Sequence, residues 1–576
     1  MKKFIITIAT LFTLSSCYKD LGNYDYKFDQ MDEIENVTLT PQPEEDMNGD
    51  WVIEFTQPAA GSGIRTEWIK ADITHKFQNE DTYRCEWKYN WPYETSNGSL
   101  AFKDTTIIAD SIPVKFAENT NTSYEIMLIV KDCSNSPASG VEQYYSITVN
   151  SVPPFKNSLM VLHGKAGERL IGNIDDNKLP AQVTYDAWKQ IYGGKPNPFK
   201  TVVNIFDNST YHNNGTQEHY LFVATYTGSG YIYNSYGLTP IYNEYWTYPN
   251  IEGHTIIPKQ IGKYNPNVQC GFMIDQQGMA YICGRAFKMQ FFQIGANVEA
   301  GTDGHITSDQ YEAECGIMYA DYLLLWDKKE GRFLTTFYMG NQFPSITTLE
   351  RSEAKMTAPL VDAGIDFTTS GYESPKGMNA VFGYISCDGS EISKAGYMIF
   401  VDNANNAYAY RLEIVDKEGT PEESSNAPQS RASQPVERFR VTERVALSGL
   451  ENFTAQSPMV YYSQLDPSFF YYASGGNLYR YNMTNKQSYL VYTAPEGYII
   501  NLLKFRCETN YSYAGALTSI LDIAMSKDGE GAIATIKLNN SGSIDNNFEP
   551  QFYTGFGPIA DIAFAHDYIY QKLTFE

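Results

Sequence analysis

Two aspartates in this chain stand where carboxylates could act together on a glycosidic bond. Asp522 and Asp561 each precede the dipeptide Ile-Ala, and two carboxylates at a fixed separation are the machinery of most glycosidases. An aspartate that recurs at a strand end more often caps a turn by accepting backbone hydrogen bonds. The sequence leaves both interpretations open.

The other familiar arrangements of reactive residues do not occur. The sequence has no Gly-x-Ser-x-Gly elbow, no His-Glu-x-x-His pair, no phosphate-binding loop and no Gly-x-Gly-x-x-Gly turn. His212 and His219 are the closest pair among seven scattered histidines, and they lie in a polar segment typical of a loop. Asp402–Asn406 spaces its oxygens somewhat like a calcium loop but lacks the later bidentate glutamate, which favours a turn. We therefore expect no catalytic residue, no metal, no cofactor and no enzymatic activity.

Aromatic side chains are better candidates for a ligand site. Seven of them lie between residues 231 and 248, where Gly237 and Pro240 indicate a loop. Flat rings with polar edges stack on sugars or peptide side chains, and they pack equally well between layers of a fold. The segment Asn90-Trp-Pro-Tyr93 is a smaller group of the same kind. The predicted ligand-binding residues are Tyr236, Tyr242, Tyr245, Trp246, Tyr248 and Trp91.

The composition indicates a folded, acidic protein that is rich in strands. Hydrophobic residues make up 43% of the 576 residues and charged residues 19%, which is typical of globular chains and enough for two or three domains. The formal net charge of −24 repels nucleic acid and anionic lipid, so we expect neither as a partner. The 45 tyrosines and 31 phenylalanines favour strands. We therefore predict an all-β fold.

The amino terminus has the layout of a secretory signal that ends at a cysteine. Two lysines precede an apolar run from Phe4 to Leu14, which is shorter than the roughly 20 apolar residues that a permanent membrane helix needs. The order Leu-Ser-Ser-Cys17 resembles the lipobox of bacterial lipoproteins. This resemblance implies that a signal peptide, residues 1–16, is removed and that Cys17 carries acyl chains such as palmitate, which anchor the protein in a membrane. The alternative is an ordinary cleaved signal with an incidental cysteine.

The residues after Cys17 carry a second resemblance. The segment from Cys17 to Tyr26 is similar to the mature start of the PKD-like lipoproteins of Bacteroidetes, and Lys19-Asp20 is similar to the signal that sends such lipoproteins to the cell surface. A solvated tether over residues 17–35 explains the same charges. The resemblance implies an outer-membrane protein that is exposed at the cell surface and acts beside SusC/SusD-type importers of glycans or peptides.

The cysteines are too few and too irregular for a disulfide framework. Seven remain without Cys17, no Cys-x-x-Cys occurs, and none has metal-ligand spacing with a histidine. Cys85 and Cys133 could be joined in an oxidising compartment, or they could be small buried apolar residues. The sequence leaves this choice open.

Residues 36–152 consist of short strand patterns separated by turn residues. Seven such patterns, with Trp87 on a central strand, predict an immunoglobulin-like sandwich. Tyr83–Trp87 and Tyr124–Asp132 resemble strands of PKD domains, although the glycine-rich turn usual after that tryptophan is absent. The resemblance implies a PKD-like domain that acts as a spacer. The patterns cover residues 34–39, 51–55, 68–73, 83–89, 105–108, 124–130 and 144–149.

Residues 153–576 repeat a different unit after the prolines of Val152-Pro-Pro-Phe155, which cannot continue a ladder. Each unit is an apolar strand, a turn with Gly, Asn or Asp, and a second strand. Six such hairpins predict a β-propeller of about seven blades; six or eight blades and a pair of stacked sandwiches remain alternatives. The hairpins cover residues 220–233, 271–281, 322–334, 397–410, 469–481 and 521–534.

The end of the chain is expected to close this ring. Residues 555–564 and 568–570 should pair with Leu159–Leu162. Residues 417–435 are rich in Ser, Pro, Glu and Gln and have little to bury, so they predict a disordered loop inside a blade.

These features together favour a surface lipoprotein that binds a nutrient ligand, either a glycan or a peptide, without transforming it, or that docks on an importer. Two alternatives stay open. One is an adhesion or assembly protein whose partner is another protein, and the other is a propeller hydrolase or lyase that acts on polysaccharide.

Overall fold

The computed structural model divides the chain into two compact units, Met1–Val152 and Pro153–Glu576. Strands dominate both units, as the tyrosine-rich composition predicts. Among the described residues, no helix has the length and apolar character needed to cross a membrane. The structure describes residues 34–45, 49–58, 62–75, 83–96, 99–117, 122–132, 142–152, 154–155, 157–176, 180–211, 217–226, 230–234, 237–238, 254–264, 270–283, 291–295, 306–319, 322–337, 360–388, 391–415, 438–461, 468–507 and 517–565.

The described part of the first unit is a sandwich of two sheets. One sheet has the order β1-β4-β7, and the other has the order β2-β3-β9-β8-β5-β6, in which only β3 and β9 run parallel. The strands are β1 (Ile34–Thr40), β2 (Glu44–Glu45), β3 (Trp51–Thr56), β4 (Arg65–His75), β5 (Tyr83–Glu94), β6 (Leu100–Ile108), β7 (Ser111–Phe116), β8 (Ser123–Asp132) and β9 (Glu142–Val152).

Alternation of apolar and polar residues explains why this sandwich forms. Trp87 on the central strand β5 is fully buried, and its Nε1 donates to the carbonyl oxygen of Ala109 at 2.7 Å. Ile112, Val114 and Phe116 alternate along β7 and point into the same core. All seven strand patterns predicted from the sequence lie within strands of the sandwich, while β7 was missed although it alternates as cleanly as they do.

The described residues of the second unit form seven antiparallel sheets in chain order, which we call blades 1 to 7. Blade 2 has three described strands and each other blade has four. The strands are β10 (Ser158–His163), β11 (Leu170–Asp175) and β12 (Gln182–Thr184) in blade 1; β13 (Val202–Tyr211), β14 (Gln217–Thr225) and β15 (Gly230–Asn234) in blade 2; β16 (Pro258–Tyr264), β17 (Cys270–Asp275), β18 (Ala280–Cys283) and β19 (Phe291–Gln293) in blade 3; β20 (Ala313–Met318), β21 (Tyr322–Asp327), β22 (Arg332–Phe337) and β23 (Val361–Asp362) in blade 4; β24 (Asn379–Asp388), β25 (Glu391–Val401), β26 (Ala407–Val415) and β27 (Arg438–Ala446) in blade 5; β28 (Met459–Val460), β29 (Phe469–Ser474), β30 (Asn477–Asn482) and β31 (Gln487–Thr493) in blade 6; β32 (Ile499–Cys507), β33 (Leu517–Lys527), β34 (Glu530–Lys537) and β35 (Gln551–Phe556) in blade 7; and β36 (Ile559–Ala565), which joins blade 1.

Two short helices accompany these strands. Helix α1 (Ala187–Tyr192) follows blade 1 and begins at Asp186, whose carboxylate accepts a hydrogen bond from the backbone N–H of Lys189 at 2.9 Å. Helix α2 (Phe367–Ser370) lies between blades 4 and 5, and a 3₁₀ turn covers Pro198–Thr201.

The last strand closes the ring of blades. Strand β36 pairs antiparallel with β10, so that Leu159 lies opposite Phe564 and Val161 opposite Ile562. The predicted pairing with Leu159–Leu162 is therefore confirmed for residues 561–564, whereas residues 555 and 556 belong to β35 of blade 7 and residues 568–570 lie outside the described residues. Because β10 and β36 share one sheet, blade 1 is held together by strands that are about 400 residues apart.

Neighbouring blades bury their faces against one another. Separate apolar clusters join blades 2 and 3, 3 and 4, 4 and 5, 5 and 6, 6 and 7, and 7 and 1. Each fully buried Leu, Ile or Phe in such a cluster contributes about 1.5–3 kcal/mol. Close approach of the inner strands needs glycine: a Cβ on Gly383 would lie 3.0 Å from the carbonyl oxygen of Gly316 in the preceding blade. These contacts and the closing strand define a β-propeller of seven blades.

The six hairpins predicted from the sequence are the second and third strands of blades 2 to 7. Their turns contain residues with positive φ, such as Gly278 at 82° and Asn405 at 64°, which the turn residues were expected to accept. The predicted loop 417–435 lies outside the described residues, between β26 and β27 of blade 5.

Candidate functional site

A cavity of about 610 Å³ lies along the inner strands of three neighbouring blades, and we call it the axial cavity for that reason. Its walls are the inner strands β16, β20 and β24 of blades 3, 4 and 5, and Ala455 and Gln456 from the loop that precedes β28 also line it. The lining begins with the first residues of these strands, where Lys259, Glu314 and Asn379 supply polar groups. Such a concave site with a few convergent polar groups is where a ligand is expected to bind.

Side chains in the cavity wall tie each inner strand to the next one. Gln260 Oε1 accepts from the backbone N–H of Gly316 at 2.9 Å, and Gln260 Nε2 donates to the carbonyl oxygen of Gly316 at 3.1 Å. Glu314 accepts from the backbone N–H of Ala380 at 2.8 Å and from Lys328 Nζ at 2.9 Å. Since an inner strand is an edge strand, these bonds satisfy backbone groups that the ladder leaves unpaired.

Asp561 forms similar hydrogen bonds between blades 1 and 2. One oxygen of its buried carboxylate accepts from the backbone N–H of Ile205 at 3.1 Å and from Asn204 Nδ2 at 3.3 Å. Its other oxygen forms an ion pair with Lys504 of blade 7. Asp561 thus joins three blades at the place where the ring closes.

Asp522 is held in a buried ionic cluster. Arg506 Nε and Nη2 each lie 2.8 Å from an oxygen of Asp522, and Arg506 Nη2 also lies 2.7 Å from Asp176 of blade 1. Thr535 donates a further hydrogen bond to Asp522 at 2.7 Å, and the ring of Phe564 lies 4.6 Å from the guanidinium carbon. Burial alone would lower the pKa of Arg506, but the charges of Asp522 and Asp176 raise it. The two aspartates considered as a glycosidase pair are therefore each bound to a cation of blade 7 and serve the closure of the ring.

Aspartates at the end of the second strand cap the turns of three successive blades. Asp402 Oδ1 accepts from the backbone N–H groups of Ala404 and Asn406 at 2.9 and 2.8 Å, which makes Asp402–Asn406 a turn, as the sequence favoured. Asp275 and Asp327 occupy the equivalent positions in blades 3 and 4. Among the described residues no group of three or more His, Cys, Asp or Glu side chains could hold a metal ion.

Asp275, which like Asp327 is fully buried, has four hydrogen-bond donors around its carboxylate. Its Oδ1 accepts from the backbone N–H groups of Gln277 and Met279, both at 2.9 Å. Its Oδ2 accepts from His254 Nε2 at 2.5 Å and from the hydroxyl of Tyr281 at 2.9 Å. Because every acceptor position faces a protein donor, this cluster of Asp, His and Tyr fixes blade 3 rather than presenting a nucleophile or base to solvent.

His163 is hydrogen-bonded to the segment that leads into β36, the strand that closes the ring. Its Nδ1 accepts from the backbone N–H of Gly557 at 3.1 Å, so its Nε2 carries the proton and donates to the carbonyl oxygen of Tyr185 at 2.8 Å. The side chain is buried, and burial lowers the pKa of His163 from its ordinary value. A second proton on Nδ1 would face the N–H of Gly557.

We therefore expect the propeller to lose stability in mild acid through His163. The contribution of its neutral form is complete above the unfolded pKa of about 6.5 and is lost as the pH falls through the lower folded pKa. His163→Asn keeps an acceptor near Gly557 and cannot titrate. Urea unfolding midpoints of both proteins at pH 7.5 and pH 5 test this: the midpoint of the wild type should fall more than that of the variant, and equal falls would exclude His163 as the titrating group.

Comparison with known proteins supports one part of this architecture. Residues 17–197 match the PKD-like family. The match spans less than half of the chain and runs beyond the sandwich, through β10, β11, β12 and helix α1 of the second unit. The first unit is accordingly a PKD-like domain. No protein of curated function matches the sequence significantly.

Several solved structures resemble the chain at low similarity. The mitotic checkpoint complex has a TM-score of 0.33 at 9% identity, covering 62% of this chain and 82% of the other. BBS1N in complex with ARL6DN has a TM-score of 0.30 at 10% identity, covering 60% and 91%. The β-propeller domain of Cps50 (Swd1) from Myceliophteria thermophila has a TM-score of 0.24 at 9% identity, covering 52% and 70%. The propeller assignment rests on the strand pairings and blade contacts described above.

The predicted aromatic ligand residues fall into two groups. Trp91, in the PKD-like domain, is half-buried on β5, packs against the core and lies 5.9 Å from the ring of Tyr89. Tyr233, the aromatic residue of the 231–248 stretch whose side chain the structure describes, is buried 5.1 Å from Phe199, which is core packing. The ligand role of Trp91 stays a prediction. Tyr236, Tyr242, Tyr245, Trp246 and Tyr248 lie outside the described residues.

Cys85 and Cys315 are unreactive in this fold. Cys85 in the PKD-like domain and Cys315 in the cavity wall are buried free thiols. Burial raises the pKa of Cys85 to about 11 and that of Cys315 to about 12, so neither forms a thiolate near neutral pH. Cys17 and Cys133 lie outside the described residues.

Sequence reasoning missed the residues that line the axial cavity. Gln260 and Gly316 are 56 positions apart, and Glu314 and Ala380 are 66 apart. No local pattern marks such pairs. The available signal was indirect. Gln260, Glu314 and Ala380 each precede a predicted hairpin, and this position in the chain places them on the inner strands of their blades.

Proposed function

We propose that this chain is a non-catalytic binding protein whose propeller holds its ligand in the axial cavity. The cavity of about 610 Å³ on three inner strands is the observation that carries this proposal. Its polar groups at the strand ends suit a ligand with many hydrogen-bonding groups, such as a glycan or an extended peptide. The carboxylate of Glu314 is bound to Lys328 and to a backbone N–H, which suits a positioning role better than acid–base chemistry.

The amino-terminal sequence supports a location for this binding protein. We propose that acyl chains on Cys17 hold it on the outer membrane and expose it at the cell surface, where it delivers a nutrient to a SusC/SusD-type importer. The PKD-like domain would then be a spacer between the anchor and the propeller. The support is the order of residues 1–26 together with the PKD-like match that begins at Cys17.

Acylation at Cys17 predicts an all-or-none result. Cells that express the whole protein and are fed radiolabelled palmitate should yield a labelled, membrane-bound protein, whereas Cys17→Ala should be unlabelled because the acceptor sulfur is gone. A Cys85→Ala variant is the matched control and should stay labelled. Label that persists in Cys17→Ala, or an unlabelled wild type, would refute the anchor.

Filling the cavity tests the binding site. Ala455 lines the cavity from the loop before β28, so Ala455→Trp adds a large ring without altering a strand. In gels cast with xylan, mannan or arabinan we expect at least one polysaccharide to retard the wild type, and Ala455→Trp to remove that retardation. Ala404→Trp, on an exposed turn of blade 5, should behave like the wild type.

The same gels separate binding from catalysis. The retained polysaccharide should keep its chain length after incubation with the protein. Shortened chains would contradict the proposal, and so would the absence of retardation by any polysaccharide combined with the absence of binding to a peptide library. Retardation that survives Ala455→Trp would place the site away from the axis.

A further inference from the structure

A guanidinium group on blade 6 lies between two aromatic rings. Arg480 is on β30, with its guanidinium carbon 5.1 Å from the ring centre of Phe469 on β29 and 5.2 Å from that of Tyr489 on β31. Cation–π contacts on both sides hold the plane of the guanidinium and limit its rotamer freedom. We call these three residues the arginine clamp.

The clamp differs from the other arginine sites that the structure describes because its guanidinium has no polar partner. Among the described residues Arg480 has neither an ion pair nor a hydrogen bond, and its Nε is buried without a partner. Arg169 donates to the carbonyl oxygen of Val203 and to the hydroxyl of Tyr226. The arginines that pair with carboxylates are Arg65, Arg84, Arg332, Arg411, Arg440, Arg444 and Arg506.

The guanidinium of Arg480 is unpaired and partly removed from water, so its N–H donors are free to bind a ligand. Its fork of N–H donors matches a carboxylate, and a charge-assisted pair is about twice as strong as a neutral hydrogen bond. The net charge of −24 does not oppose this contact strongly, because charges farther away than the Debye length of about 8 Å are screened at physiological salt.

The neighbours of the clamp suit a sugar. Tyr489 is 37% exposed, and its hydroxyl accepts from Asn485 Nδ2 at 2.7 Å and donates to Gln487 Oε1 at 2.9 Å, so the ring is fixed in place. A fixed, partly open ring with amide groups at its edge offers a pyranose both an apolar face and hydrogen-bond partners. A peptide carboxylate would use only the guanidinium.

We propose that Arg480, Phe469 and Tyr489 form a subsite for the carboxylate of an acidic sugar. The subsite is on β29, β30 and β31 of blade 6 and does not include the residues that line the axial cavity. Its test is therefore independent of the test of the proposed function. The ligand class is a uronate-containing oligosaccharide, with the carboxylate on Arg480 and the sugar ring beside Tyr489.

Calorimetric titration of the whole protein with trigalacturonate and with trigalactose tests the subsite. The acidic trimer should bind more tightly than the neutral one, and Arg480→Met should weaken the acidic trimer at least about tenfold, the loss expected for a carboxylate–guanidinium pair. Arg480→Lys keeps the charge but loses the fork, and should fall between the two. Arg440→Met, on an exposed pair with Glu413, is the control and should not change binding.

Several results would overturn the subsite. They are no binding of trigalacturonate, equal binding of the two trimers, or an unchanged affinity in both Arg480→Met and Arg480→Lys. Binding of triglutamate as tight as that of trigalacturonate would also overturn it, because the sugar ring would then contribute nothing. An unfolding midpoint equal to that of the wild type establishes that each variant is folded.

Discussion

Replacing Asp275 by alanine is expected to lower the free energy of unfolding of the propeller by at least about 3 kcal/mol. The carboxylate is fully buried and accepts four hydrogen bonds. Without it, His254 and Tyr281 lose their common acceptor, and two backbone N–H groups of the turn lose theirs. Each buried polar group left without a partner costs about 1–3 kcal/mol. The measurement is urea unfolding followed by the fluorescence of the whole protein.

Asp402→Ala is the matched control for this prediction. Asp402 caps the corresponding turn of blade 5 with the same pair of backbone hydrogen bonds, but it is partly exposed to solvent and its carboxylate is bound by Asn406 rather than by a His or Tyr side chain. Water can replace it, so the loss of stability should be much smaller. If the two variants lost equal stability, the buried cluster would contribute no more than an ordinary turn cap.

Replacing Arg506 by methionine is expected to destabilise the closure of the ring by about 3–5 kcal/mol. The change leaves Asp522, which is 1% exposed, and Asp176 without the cation that both of them share. Methionine keeps much of the volume of the arginine side chain and its contact with Phe564, so the loss of stability reports on the missing positive charge. Since the cluster joins blade 7 to blade 1, the unfolding midpoint of the propeller should fall sharply.

Adding Asp522→Asn to Arg506→Met should restore part of the lost stability, because it removes one unpaired buried charge. Arg440→Met serves as the control here too, since a surface ion pair contributes little. If Arg506→Met were as stable as the wild type, the ionic cluster would contribute nothing to the stability of the propeller. A double variant that is less stable than the single one would show that Asp522 acts through Thr535 and not through Arg506.

The sequence predicted the parts of the propeller whose pattern is local. Hairpins such as 469–481 combine apolar strands with turn residues that accept positive φ, and both signals lie within about 15 residues. Each blade also needs an inner and an outer strand, and these are often too short to carry a period: β19 has three residues, and β23 and β28 have two. Their positions follow from packing against neighbours and not from their own residues.

The candidate site was harder to predict for the same reason. Asp522 and Asp561 were identified as special positions, but their partners Arg506 and Lys504 belong to another strand, and Asp176 is 330 residues from Arg506. Gln260 and Glu314 look like ordinary surface residues in the sequence until the inner strands are brought side by side. The closure by β36 was predictable because both of its strands are strongly apolar, which is a pattern that each carries alone.

Hydrogen–deuterium exchange of the whole protein, with and without the polysaccharide that retards it in gels, tests the central claim most directly. Ligand in the axial cavity should slow exchange in peptides that cover Pro258–Tyr264, Ala313–Met318 and Asn379–Asp388, because these inner strands form the wall of the cavity. Protection confined to the PKD-like domain or to the outer strands of the blades would contradict the claim that the axial cavity is the binding site.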